Sequence, residues 1–265
     1  MRSRTPTIRF VPIALLLWLP ALASSEPDLV TDRPDQTESS VVVGPGRVQL
    51  ETGWTFSRED ESGERKDTEE AAGTLVRIGL AERVELRVGW AGYISEDVDL
   101  AGAMTEADGP GDAELGAKLY LREEQGRAPE LALLAAVSLP TGADEFSSDE
   151  LDPSFRISAS HGLSERLAIG YNAGLAWTSE SGATLSSYLY TAALGIGVTD
   201  RLGAFVELFG ELPASAPGRP ANSVDGGLTY LLRDNIQVDL AGGIGLSSAA
   251  DDWFVGLGIS VRFPR

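Results

Sequence analysis

The chain of 265 residues contains no cysteine, one histidine and two methionines. Without cysteine there is no disulfide framework, no thiolate metal site and no cysteine nucleophile, and a single histidine leaves little for a zinc site. No metal and no cofactor is therefore expected. Bases are scarce as well: 21 Lys and Arg stand against 40 Asp and Glu, a formal charge of −19. Such a chain lacks the basic face that phosphates require, which excludes nucleic acid as a partner. Long apolar runs are missing too, and a mean hydropathy of −0.04 is far from that of a bundle of membrane helices. The hydrophobic share of 43% is nonetheless too high for a disordered chain.

What is present begins with a targeting segment. Arg2, Arg4 and Arg9 precede an apolar stretch from Val11 to Leu22, and Ala21-Leu22-Ala23 supplies the small-x-small pattern of a cleavage site. Residues 1–23 therefore read as a secretory signal peptide, because a retained anchor would need about 20 apolar residues. Its removal takes away three Arg and moves the formal charge from −19 to −22. Exported proteins commonly rely on disulfides, so a chain without cysteine needs another source of stability.

Periodicity supplies it. After Arg47 nearly every segment alternates with period two, the mark of strands with two unlike faces. Val48, Leu50, Thr52, Trp54 and Phe56 share one face opposite Gln49, Glu51, Gly53 and Thr55; Trp253, Val255, Leu257, Ile259, Val261 and Phe263 oppose Phe254, Gly256, Gly258, Ser260 and Arg262. The same count gives strands near 47–57, 74–81, 84–93, 112–122, 130–139, 154–161, 167–178, 185–198, 202–211, 223–232, 236–247 and 252–263, twelve in all. Tight turns such as Ala81-Glu82-Arg83, Thr199-Asp200-Arg201 and Arg233-Asp234-Asn235 alternate with longer acidic connections at 57–73, 94–111 and 140–153. This predicts an all-β transmembrane antiparallel barrel over 47–265, with short periplasmic turns and longer acidic extracellular loops. Closure would pair every strand edge, which accounts for stability without disulfides.

Aromatic placement agrees with that frame. Trp54, Phe56, Trp90, Phe155, Trp177, Tyr188, Tyr190 and Trp253 fall toward the extracellular strand ends on the apolar face, and Tyr230 and Phe263 toward the other end. Two such banks are interfacial girdles, whereas a soluble sandwich has no reason to put Trp outward at strand ends.

Several stretches resemble a known family. Thr31-Asp32-Arg33-Pro34-Asp35-Gln36-Thr37-Glu38-Ser39, followed by Pro45-Gly46-Arg47-Val48-Gln49-Leu50-Glu51, is similar to the N-terminal signature of the outer-membrane barrels labelled as a MetA pathway of phenol degradation. Ser138-Leu139-Pro140-Thr141-Gly142, the run from Asp200 to Glu207, the run from Asp225 to Leu232 and Ala249 to Phe254 continue the likeness over most of the mature chain. Two positions depart: Gln36 stands where an aromatic is expected, and the chain ends Phe263-Pro264-Arg265 instead of on an aromatic. The resemblance implies an outer-membrane transporter, placed in the cell outer membrane with lipid, lipopolysaccharide and the barrel-assembly machinery as its surroundings. Aromatic or apolar solutes follow from the resemblance alone.

The candidate functional residues lie on the inward faces: Glu51, Arg77, Glu85, Arg87, Asp112, Glu114, Lys118, Glu130, Arg156, Glu207 and Asp239, with Glu211 and Arg262. Mixed charges on a barrel interior line a water-filled path that tunes selectivity, or else form an ion-paired network that fills the lumen. Acids outnumber bases, so a pore would prefer cations or neutral solutes. Residues 24–46 precede the first strand in the periplasm, and Asp32, Arg33, Asp35 and Glu38 mark them as a lumen plug meeting Arg77, Arg87 or Arg156, or as a cap with no gating role. The acidic loops read as solvated faces, bridged by ions to lipopolysaccharide, rather than as calcium sites. An enzyme is not expected, because Ser160 and His161 are adjacent on one strand and point to opposite faces. The leading reading is a passive channel for small solutes, the alternative a non-conducting structural or surface-interaction barrel with a filled lumen.

Overall fold

A computed structural model describes residues 29–61, 63–180, 182–215 and 218–264. The signal peptide read at residues 1–23 lies outside the described residues, as do 24–28 of the segment that follows it. The strands are β1 (Val48–Glu61), β2 (Glu64–Ala81), β3 (Val84–Trp90), β4 (Tyr93–Leu100), β5 (Ala103–Pro110), β6 (Ala113–Arg122) and β7 (Glu130–Leu139). They continue as β8 (Asp152–Ser164), β9 (Leu167–Glu180), β10 (Ala183–Gly197), β11 (Leu202–Pro213), β12 (Ala221–Arg233), β13 (Ile236–Gly245) and β14 (Trp253–Phe263).

All ladders are antiparallel, and β1 pairs with both β2 and β14. The wall therefore closes through twelve strands, β1 to β3 and β6 to β14, while β4 and β5 form a hairpin attached to β2. Closure leaves the spanning strands with no free edge, so backbone groups that would each cost several kcal/mol in lipid are paired. Side chains sort by parity along each strand. In β1, Gln49 and Glu51 are buried inside while Val48 and Leu50 face out, and in β13 Gln237 and Asp239 are buried while Leu240 faces out. The usual rule of apolar inside and polar outside is inverted, as lipid around a polar lumen demands.

Trp90, Tyr188, Tyr230, Trp253 and Phe263 are exposed on the outer surface. Trp54 packs with Phe56 and donates its indole N–H to Glu69 at 2.6 Å. Trp177 meets Phe155 edge-on at 6.1 Å, and the Tyr190 hydroxyl bonds Asn222 across β11.

Two of the expected loops are sheet. Residues 57–73 run on as β1 and β2, paired up to Glu61 and Glu64, and 94–111 is mostly the β4–β5 hairpin laid along the upper half of β2. Above the membrane both faces of a strand meet water, so alternation disappears although the ladder continues. Cross-strand charge takes over there: Arg58 forks onto Asp67 at 2.6 and 2.8 Å, and Lys66 meets Glu96 at 3.2 Å. Residues 140–151 do form a loop, and the outer connection between β9 and β10 is tight.

Candidate functional site: the barrel lumen

The inward faces of β1, β2, β3 and β6 carry charge on neighbouring strands because polar residues recur at every second position. Glu51, Arg77, Glu85 and Lys118 are fully buried, and Arg87 nearly so. Register sets them side by side: Arg77 lies opposite Arg87 and Gln49, and Glu85 opposite Lys118. Three cations and two carboxylates cannot balance alone. The deficit is met by residues 29–46, which lie inside the barrel instead of below it.

Asp32 is the centre of that contact, with Arg77 at 3.1 Å, Arg87 at 2.6 Å and Lys118 at 2.9 Å. Ser39 donates to the same carboxylate from both its amide and its hydroxyl. Glu38 takes both oxygens to Arg87 at 2.8 and 2.9 Å. Glu51 accepts from the amides of Asp32 and Arg33 and from Arg77, and Glu85 accepts from the amide of Val43 and from Arg77. Arg33 crosses to the other side, donating to Asp239 at 3.3 Å and to the Leu257 carbonyl at 3.2 Å. Its guanidinium lies flat on Gly53 and Gly258; a Cβ built on Gly258 would come within 2.7 Å of Arg33 Nη2. Glycine at these two facing positions makes the room.

Along β7 to β11 the segment is held differently. Gln36 donates its amide to Glu207 at 2.7 Å, Thr37 bonds Thr191 at 2.6 Å, and Asn172 and Ser158 bracket the backbone of Glu38. Ser40 bonds Glu130 and Ser160. Asp35 is in no ion pair among the described residues, and its electrostatic neighbours are acids, Glu207 and Asp225 among them. Of the cations proposed to meet the segment, Arg77 and Arg87 do so directly, while Arg156 acts on Glu38 only at longer range.

Two cavities open on this less charged side. The extracellular one, about 340 Å³, is bordered by Gln36, Arg156, Leu189, Phe209, Glu211 and Asp251. The periplasmic one, about 240 Å³, is bordered by Thr37, Ser39, Glu130, Ser160, Gly170 and Phe205. Glu114 faces a smaller pocket with Glu38, Arg87 and Arg156. Asp112 takes a different part: it accepts from the amides of Thr141 and Gly142 and the hydroxyl of Ser147, tying loop 140–151 to the barrel rim.

Sequence reasoning missed the inward aromatics Phe205 and Phe209, and placed Phe254 on the inward face of the last strand without giving it a role. In β11 apolar residues stand on both faces, Phe205 and Phe209 within and Val206 and Leu208 without, so period two has no contrast there. Phe254 is visible by parity with Arg262, but nothing in the sequence pairs it with Phe209, whose ring lies 6.1 Å away. His161 sits near the periplasmic rim beside Tyr171 and Glu124, on the face opposite Ser160. Among the described residues no group of three or more acids or histidines gathers as a metal would require.

A family model described as "Putative MetA-pathway of phenol degradation" matches residues 31–263. The chain belongs to this family. The match includes both the lumen segment from Thr31 and the whole wall. Among solved structures, the COG4313 outer membrane channel from Pseudomonas putida F1 is similar at a TM-score of 0.63 and 14% identity, covering 84% of this chain and 97% of that one. The transport unit of the autotransporter AIDA-I from Escherichia coli is similar at 0.54 and 7% identity, covering 83% and 90%. The translocator domain of the autotransporter NalP from Neisseria meningitidis gives 0.51 and 13%, covering 82% and 88%. At these identities the likeness is one of fold, that of an outer-membrane β-barrel. No curated protein matches the chain.

Proposed function

We propose that this family member is a passive outer-membrane channel for small solutes with an apolar body, and that residues 29–46 are its plug. One observation carries the reading: two cavities lie above and below the stretch Pro34–Thr37 on the same side of the lumen. Neutral hydrogen bonds and a single carboxylate, Glu207, hold that stretch, whereas Asp32 and Glu38 at either side of it are locked by ion pairs. A path opens if Pro34–Thr37 shifts while its two anchors stay. Inward Phe205, Phe209 and Phe254 give an apolar solute surface to follow, and the family's association with phenol degradation agrees with such a cargo.

The ion-paired side of the lumen favours a second reading, a non-conducting barrel whose charges and N-terminal segment only brace the wall. Planar-bilayer conductance separates the two. Folded, heat-modifiable protein should give channel events that grow when residues 24–44 are deleted; silence in both proteins would sink the channel. Around the barrel, lipid and lipopolysaccharide meet the outer face and acidic rim, and the assembly machinery receives the final strand with Phe263 facing out.

A further inference from the structure

Four consecutive strands place one row of inward residues across the extracellular cavity. Arg156 of β8 pairs with Gly174 of β9, Gly174 with Leu189 of β10, and Leu189 with Glu211 of β11. Arg156, Leu189 and Glu211 all border that cavity. The row thus reads cation, gap, apolar side chain, carboxylate. Gly174 makes the gap: a Cβ built on it would lie 2.8 Å from Arg156 Cγ and 2.5 Å from the Phe155 carbonyl, so the stem of Arg156 crosses bare backbone. Phe209, one inward position deeper than Glu211, widens the apolar part.

Neither end of the row is committed to the barrel. Arg77, Arg87 and Lys118 are each locked by ion pairs, but Arg156 and Glu211 have no hydrogen bond or ion pair with another described residue. A guanidinium that borders a cavity, makes no direct ion pair and meets Glu38 only at longer range presents a planar fork that fits a carboxylate. With strands about 4.8 Å apart, three steps put the Cα atoms of Arg156 and Glu211 roughly 14 Å apart along the wall. Side chains extended toward each other across the cavity would shorten that span to about the length of a substituted ring.

We propose that this cavity binds a small aromatic solute with a carboxylate at one end and a hydrogen-bond donor at the other: carboxylate on Arg156, ring over Gly174 and Leu189, donor toward Glu211. The proposal rests on the uptake reading above and names its solute class. A wholly apolar solute would strip water from both charged ends and replace none of their hydrogen bonds. An organic cation would meet Arg156 as a like charge. Gln36, on the plug directly beneath, puts the ligand against the stretch that has to move.

Calorimetric titration of the full-length folded barrel in detergent tests this with 4-hydroxybenzoate, benzoate and phenol as probes. The expected order is 4-hydroxybenzoate tightest. Arg156→Gln should weaken both carboxylates at least about tenfold while leaving phenol nearly unchanged, and Glu211→Gln should erase the advantage of 4-hydroxybenzoate over benzoate. No binding of 4-hydroxybenzoate to the unaltered protein, or equal carboxylate affinity in Arg156→Gln, overturns the proposal. Heat-modifiable mobility checks each variant. If Arg156→Gln does not fold, Arg156→Lys keeps the charge and loses the fork, and undiminished carboxylate affinity there overturns the proposal equally. Titration needs no conduction, so the two readings fail separately: binding without vesicle permeation removes the channel and keeps the site, and permeation with binding indifferent to Arg156 does the reverse.

Discussion

Asp32 satisfies three buried cations with one carboxylate, and its removal leaves Arg77, Arg87 and Lys118 facing one another. Breaking a buried ion pair by removing one partner costs roughly 3–5 kcal/mol. Asp32→Asn should therefore lower the temperature at which the heat-modifiable form converts, and should raise open probability in bilayers; a variant as stable and as quiet as the parent would show that the segment is not anchored there. The inward acids divide in the same way. Glu114 borders open space and Glu51 and Glu85 do not, so Glu114→Gln should reduce cation preference in a reversal-potential measurement. Glu51→Gln and Glu85→Gln should act mainly on stability. Parity made all of these residues readable as inward from sequence. It gave no sign of which were already paired, because partners such as Asp32 and Arg87 stand 55 positions apart and only the closed wall brings them together.

At the scale of elements, legibility followed the membrane. Strands inside it alternate because lipid and lumen differ, and all twelve of the wall were found from that contrast. The upper parts of β1 and β2 and the whole of β4 and β5 have water on both sides, and were read as loops. What stiffens them is exposed charge, which can be tested by pH. Two hydrogen bonds from Arg58 hold the Asp67 carboxyl below its ordinary range. A depressed folded pKa means the stabilisation is complete above the ordinary carboxylate value, about 4, and is lost as pH falls through the depressed one. Hydrogen exchange in Arg58–Asp67 should accelerate only on acidification below about pH 4, after correction for intrinsic rates, and Arg58→Gln should flatten that dependence. The N-terminal segment escaped elemental reading for another reason: it has no period, and only its charges, opposite in sign to the wall's bases, pointed inward.

The whole molecule is a closed wall with a chain threaded through it, and the two halves of its lumen differ. One side, β1 to β3 and β6, is filled by ion pairs; the other, β7 to β12, keeps the two cavities. Deleting residues 24–44 removes the balancing carboxylates as well as the obstruction, so the truncated channel should be larger and also less cation-selective, its wall left with Arg77, Arg87 and Lys118 less fully neutralised. An unchanged reversal potential together with increased current would place the current path on the cavity side alone.

The same threading fixes an order of events in biogenesis. The segment before β1 bonds to residues of β1, β3, β11 and β13 and to a carbonyl of β14, so its seat does not exist until the last strand has met the first. Until then Asp32 and Arg33 must stay in water on the periplasmic side, within reach of proteases. Protection of this segment from cleavage is thus a readout of completed closure, and a precursor stalled with β14 unpaired should lose its N-terminus while a finished barrel keeps it.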